Sequence, residues 1–230
     1  MATVWPAAAP ETRTQTNAAA RPRLVGWVGA IALVQFAVLL ATASRYGYHR
    51  DELYFIVAGS HAAFGYPDQP PLIPLLCWTM NALAPGSLIV LRLPSALIAA
   101  ATTILAALIA REVGGGTRAQ MIAAGCTACS AFALAVSHLV STTTPDMLST
   151  TLLGWLAIRA VVRGSGPSVL LAGVIVGLGV EAKPQIGLVG AVMAASVLVV
   201  GPRTVLRSWW AAGGAACAVA LAVPYVIWQQ

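Results

Sequence analysis

The chain is short of charge: Asp, Glu, Lys and Arg make up only 9% of its 230 residues. A soluble domain covers its surface with such residues, and at this level there are too few to do so. The thirteen basic residues punctuate apolar runs without forming a stripe or interleaving with aromatics, which argues against a nucleic-acid partner. Four cysteines give no framework. Cys126 and Cys129 form a C-x-x-C inside an apolar run with no second Cys or His pair at zinc-finger spacing, and Cys77 and Cys217 also sit in apolar segments. They are expected to be free, small helix-packing residues.

What is abundant is apolar: 59% of the residues are hydrophobic and the mean hydropathy is +0.82. The bilayer is therefore expected to be the main solvent, and the fold class all-α, a polytopic membrane protein. A crossing needs about 20 apolar residues, and the runs Leu24–Ala43, Leu88–Ala110, Met121–Val140, Met147–Val162, Val169–Val180, Ile186–Val200 and Trp209–Trp228 give about seven crossings. Residues 1–20, rich in Ala, Thr and Pro, read as a disordered cytoplasmic tail, and residues 21–230 as one transmembrane domain. The first apolar run is long for a signal peptide, although Ala41-Thr42-Ala43 imitates a cleavage site.

Residues 44–70 break the apolar pattern with charge, aromatics, Gly and Pro. Within this first loop, Glu52–Phe64 is expected to lie along the interface with Asp51 capping its start, and Leu72–Leu83 is short enough to be interfacial or re-entrant. Threading from a cytoplasmic N-terminus puts nine arginines inside (Arg13, Arg21, Arg23, Arg111, Arg118, Arg159, Arg163, Arg203, Arg207). It leaves four basic residues outside, Arg45, Arg50, Arg92 and Lys183. The same threading gathers Asp51, Glu52, Asp68, Asp146 and Glu181 outside and leaves Glu11 and Glu112 inside. Positive-inside statistics do not explain that acidic cluster, so it asks for a function.

Each candidate has a plain reading beside the chemical one. Asp51 and Glu52 suit a general base at the interface, or a helix cap with a solvated neighbour. Asp68, stiffened by Pro67 and Pro70, suits a binding site or an ordinary turn, and Asp146 opens a crossing where capping alone accounts for it. Lys183 and Arg92 can meet a lipid phosphate; snorkelling, or a pair between Lys183 and Glu181, would serve equally. His49, His61 and His138 stand near these acids but lack metal-ligand spacing.

The motifs DELYF (51–55) and YPDQPPL (66–72) resemble those of GT-C membrane glycosyltransferases, the ArnT-like and protein O-mannosyltransferase-like group. LRLPSAL, AREVGGG, TTTPDMLSTTL, GLGVEAKPQIGLV and PYVIWQQ follow in matching order, so the resemblance spans residues 21–230. It implies transfer of a sugar from a polyprenyl-phosphate carrier to a glycan, lipid or protein acceptor on the extracytoplasmic side of the cell membrane. It further implies Asp51 as base, Glu52 in support, and Asp68, Gln69, Asp146 and Arg92 as cavity residues. Asp68 and Asp146 would hold a divalent cation if one is used, and Lys183 would meet the carrier phosphate. No nucleotide cofactor is expected, because Gly114–Gly116 reads as a cytoplasmic turn and not as a phosphate loop. Members of the group continue past a seventh helix, so the chain is expected to match their N-terminal half, with activity dependent on a remainder or partner. The contrasting class is a transporter, flippase subunit or scaffold; a permeation path would place polar groups near the midplane, where this chain has few beyond Gln35, Thr102, Thr103 and Ser130.

Overall fold

The computed structural model describes residue 24 and residues 26–230, which fold into ten α-helices. The expected N-terminal tail, with Glu11, Arg13, Arg21 and Arg23, lies outside the described residues. In order the helices are α1 (Gly26–Thr42), α2 (Arg50–Gly59), α3 (Leu72–Leu83), α4 (Leu88–Glu112), α5 (Thr117–Ala128), α6 (Ala131–Ser137), α7 (Thr143–Arg163), α8 (Gly166–Val180), α9 (Gln185–Val199) and α10 (Trp209–Trp228). An isolated bridge between Tyr66 and Gln69 is the only β pairing among the described residues.

Helix α4 is the axis of the N-terminal part, packed against α1, α5 and α7. Its inward face is small, with Ala96, Ala99, Thr103 and Ala107 buried, which lets neighbouring backbones come close. Thr103 Oγ1 donates to Gln35 Oε1 at 2.7 Å, tying α4 to α1 inside the bundle. Helices α8 and α10 touch more closely still: a Cβ added to Gly173 would sit 2.1 Å from the Gly214 carbonyl oxygen. The outward faces carry bare hydrophobic side chains such as Leu33, Ile122, Leu188 and Val219. Such a surface is stable against lipid and not against water.

The all-α membrane architecture holds, but the count of seven spans does not. By length and composition α4 and α10 are the two described helices that cross alone, and α5 with α6 makes a third if the bent pair is one span. Helices α8 and α9 have 15 residues each, about 22 Å at 1.5 Å per residue against about 30 Å of hydrocarbon. The expected run Met121–Val140 is broken at residues 129–130 by a 53° bend, where the Ser130 hydroxyl caps α6 by accepting from Ala133 N–H. The four cysteines are free as expected, yet Cys126 and Cys129 are exposed on the outer face and do not pack between helices.

Candidate active site

The first loop folds back on the bundle because of Glu52. Helix α2 starts earlier than expected, and its cap is His49, not Asp51: His49 Nδ1 accepts from Asp51 N–H and Glu52 returns the bond by accepting from His49 N–H. Glu52 is fully buried, and each oxygen takes two bonds. Oε1 accepts from Arg92 Nε at 2.8 Å and Val140 N–H at 3.0 Å; Oε2 accepts from Arg92 Nη2 at 2.7 Å and His49 N–H at 2.8 Å. Burial alone pushes this carboxyl up, and the Arg92, His49 and Val140 hydrogen bonds outweigh it, holding Glu52 below the usual carboxylate range.

Arg92 is sealed in the same knot. It is 3% exposed and donates further to the Ala43 and Gly47 carbonyls. The expectation that Arg92 meets substrate is therefore replaced by an internal duty: it joins α4 to the end of α1, the first loop and, through Glu52, the segment after α6. No local signal joins Glu52 to an arginine 40 residues on.

With Glu52 turned inward, its neighbour Asp51 points out, its side chain 42% exposed, with Arg50 at 3.4 Å. One turn along the same face, Tyr54 Oη donates to Asp68 Oδ1 at 2.6 Å. That bond raises the Tyr54 pKa, because a phenolate would face the Asp68 carboxylate. Asp68 is held in a tight turn closed by Tyr66 and Gln69, whose backbones exchange hydrogen bonds at 2.9 and 3.3 Å. Gln69 is buried with its amide nitrogen unpartnered.

Two C-terminal elements, the α8–α9 turn and the end of α10, close around this turn through three contacts. Leu72 N–H donates to the Glu181 carbonyl at 3.0 Å, Gln229 Nε2 donates to the Tyr66 carbonyl at 3.0 Å, and Gly65 packs under the Trp228 ring, where a Cβ would come within 2.7 Å. Lys183 pairs with Asp146 at 3.4 Å, joining the α8–α9 turn to the start of α7; the pairing with Glu181 weighed from sequence does not form. Burial raises the Glu181 pKa, and its Oε1 has no partner. Asp51, Asp68, Gln69, Asp146 and Lys183 thus gather at one end of the bundle. Sequence reasoning missed Tyr54 and gave Glu181 no role of its own, although the Asp51–Tyr54 spacing already puts those two residues on one helical face.

Asp68 and Asp146, expected to share a divalent cation, are engaged with Tyr54 and Lys183. Among the described residues no group of three or more His, Cys, Asp or Glu is placed to hold a metal ion.

A family profile described as dolichyl-phosphate-mannose-protein mannosyltransferase matches residues 68–228, more than half of the chain. The chain belongs to this family. The match starts at Asp68 and runs through the Lys183–Asp146 pair to the α10 end that packs on the turn, so the mannosyltransferase-family segment contains most of the polar end. Asp51 and Glu52 lie upstream of it. No curated protein and no solved structure matches the chain. Family membership makes it a glycosyltransferase-type membrane protein of the GT-C mannosyltransferase kind.

Proposed function

We propose that the polar end is the site where a sugar, of mannosyl type, passes from a polyprenyl-phosphate carrier to an acceptor hydroxyl outside the cytoplasm. Asp51 is the base. The acceptor oxygen attacks the anomeric carbon, its proton goes to Asp51, and the bond from that carbon to the carrier's phosphate oxygen breaks. The polyprenyl phosphate leaves with the bonding pair, and its charge is met by Lys183, which exchanges Asp146 for the phosphate. Tyr54 holds Asp68 toward the sugar hydroxyls, with Gln69 beside it.

The observation that carries this reading is the division between adjacent carboxylates. All four acceptor positions of Glu52 are filled, so it cannot take a proton from an acceptor hydroxyl, while Asp51 is half-exposed and bound only at its periphery. Glu52 and Arg92 serve as positioning residues that set the direction of Asp51. The charged side chains lie at the bundle's ends and not along its middle, which favours transfer at an interface over a permeation path.

The test is sugar transfer from mannosyl polyprenyl phosphate in native membrane vesicles, with any natural partner present. Asp51→Asn is expected to lower turnover by about 10² or more with donor binding kept. Lys183→Ala should weaken donor binding instead. Near-normal turnover of a folded Asp51→Asn variant would remove Asp51 as base.

A further inference from the structure

At the end of the bundle opposite α2, two cavities adjoin, sharing Val169 and Val205 in their walls. The larger, about 350 Å³, lies among α7, α8, α9 and α10, where Ala157, Ala172, Ala194, Ala215 and Ala218 leave room that larger side chains would fill. Its lining is entirely apolar, and its size falls at the lower end of the roughly 300–1,000 Å³ usual for ligand sites. The smaller, about 150 Å³, is mixed, with Ser165, Thr204 and Ser208 beside Val169, Val205 and the Trp210 ring.

No charged side chain lines the smaller cavity, but arginines flank it in the chain. Its wall residues Gly164, Thr204 and Ser208 each follow an arginine in the chain, Arg163, Arg203 and Arg207. All three arginines are exposed. Among the described carboxylates only Glu112 lies at this end, and it is already held by Arg159 and Arg163. Arg203 Nε is bound to the Leu198 carbonyl, and no described carboxylate pairs with Arg207. The Ser208 hydroxyl already donates to the Val205 carbonyl at 3.0 Å and caps α10 by accepting from Ala211 N–H, which leaves the Ser165 and Thr204 hydroxyls to donate to an anion, with an apolar chamber beside them.

We propose that this pair of cavities holds one anionic glycerophospholipid, its phosphate at the Ser165 and Thr204 hydroxyls and reached by Arg203 and Arg207, and one acyl chain between α7, α8, α9 and α10. The site is separate from the polar end and independent of the reaction proposed there. An apolar helix of another protein would use the chamber but leave the hydroxyl niche and its arginines without a role. A basic pocket between transmembrane helices is a setting in which anionic headgroups bind.

The experiment is native mass spectrometry and thermal unfolding of the purified full chain with palmitoyl-oleoyl phosphatidylglycerol or the matching phosphatidylcholine. Phosphatidylglycerol should be retained and raise Tm, and phosphatidylcholine should do neither. Arg203→Gln with Arg207→Gln should weaken phosphatidylglycerol binding roughly tenfold or more at low salt. Arg45→Gln, at the other end, should not. Ala194→Phe should expel the lipid with helix content intact; if that variant misfolds, the two exposed arginines decide the matter alone. Equal retention of both lipids, equal loss from Arg45→Gln, or unchanged binding after both arginines are neutralised would overturn the proposal.

Discussion

Helix α4 carries a buried ion pair at each end, and the two are built differently. Arg92 near its start and Glu112 at its end are about 20 residues apart, hence about 30 Å, the thickness of a hydrocarbon core. At the first, one arginine and one glutamate are both sealed, and two backbone N–H groups and two carbonyls complete the knot. At the second, buried Glu112 is shared by Arg163 at 2.6 Å and Arg159 at 3.4 Å, each about a third exposed. The Arg159 guanidinium also lies over the Trp155 ring. A pair with water at its cations can lose one partner and be rescued by solvent; a sealed pair cannot. The sealed pair sits under the loop that presents Asp51, where direction matters, and the wet pair anchors helix ends.

Arg92→Ala should have the largest effect on stability, about 3–5 kcal/mol, because it leaves Glu52 charged and buried. Unfolding in mixed micelles measures it, and a loss equal to that of Arg159→Ala would erase the contrast. Glu112→Gln should cost less, roughly 1–3 kcal/mol, since the two arginines it releases can turn to water. Acid sharpens the comparison further. The folded pKa of Glu52 lies below its ordinary value of about 4.3, so the stabilisation from this pair is present above that value and fades as pH falls through the depressed one. Unfolding followed down this range should show that loss in the native chain and not in Glu52→Gln.

Tyr54→Phe should cost less again, at most about 1 kcal/mol, because its bond to Asp68 is open to solvent. It should still impair transfer if Asp68 must be held in place. The weakest perturbation settles which end faces the cytoplasm. Single cysteines at the exposed positions Thr117 and Phe64, in a background without the native four, should react from inside and outside respectively. Labelling of Phe64 from the cytoplasm would place the polar end on the wrong side for the proposed reaction.

Much of the polar end is legible in the sequence. The acids were gathered at one end by threading, the Asp51-Glu52 pair was singled out, and the turn around Asp68 followed from its prolines. Arg92, however, was expected at substrate, Asp51 at the cap that His49 occupies, and Lys183 beside Glu181, its near neighbour in the chain. Each of these depended on a partner distant in sequence or on a choice between adjacent polar residues, which periodicity does not rank.

By itself the sequence determined the solvent, the helical class and the segregation of charge, because these follow from composition and from runs of apolar residues that any packing must place in lipid. It also carried the family in the order of its motifs. Only the tertiary structure decided which of two neighbouring carboxylates faces inward, which arginine is sealed, and where short helices and a bend replace full spans. Those choices rest on contacts such as Glu52 with Arg92 and Val140, or Gly173 with Gly214, formed between segments that local pattern cannot bring together.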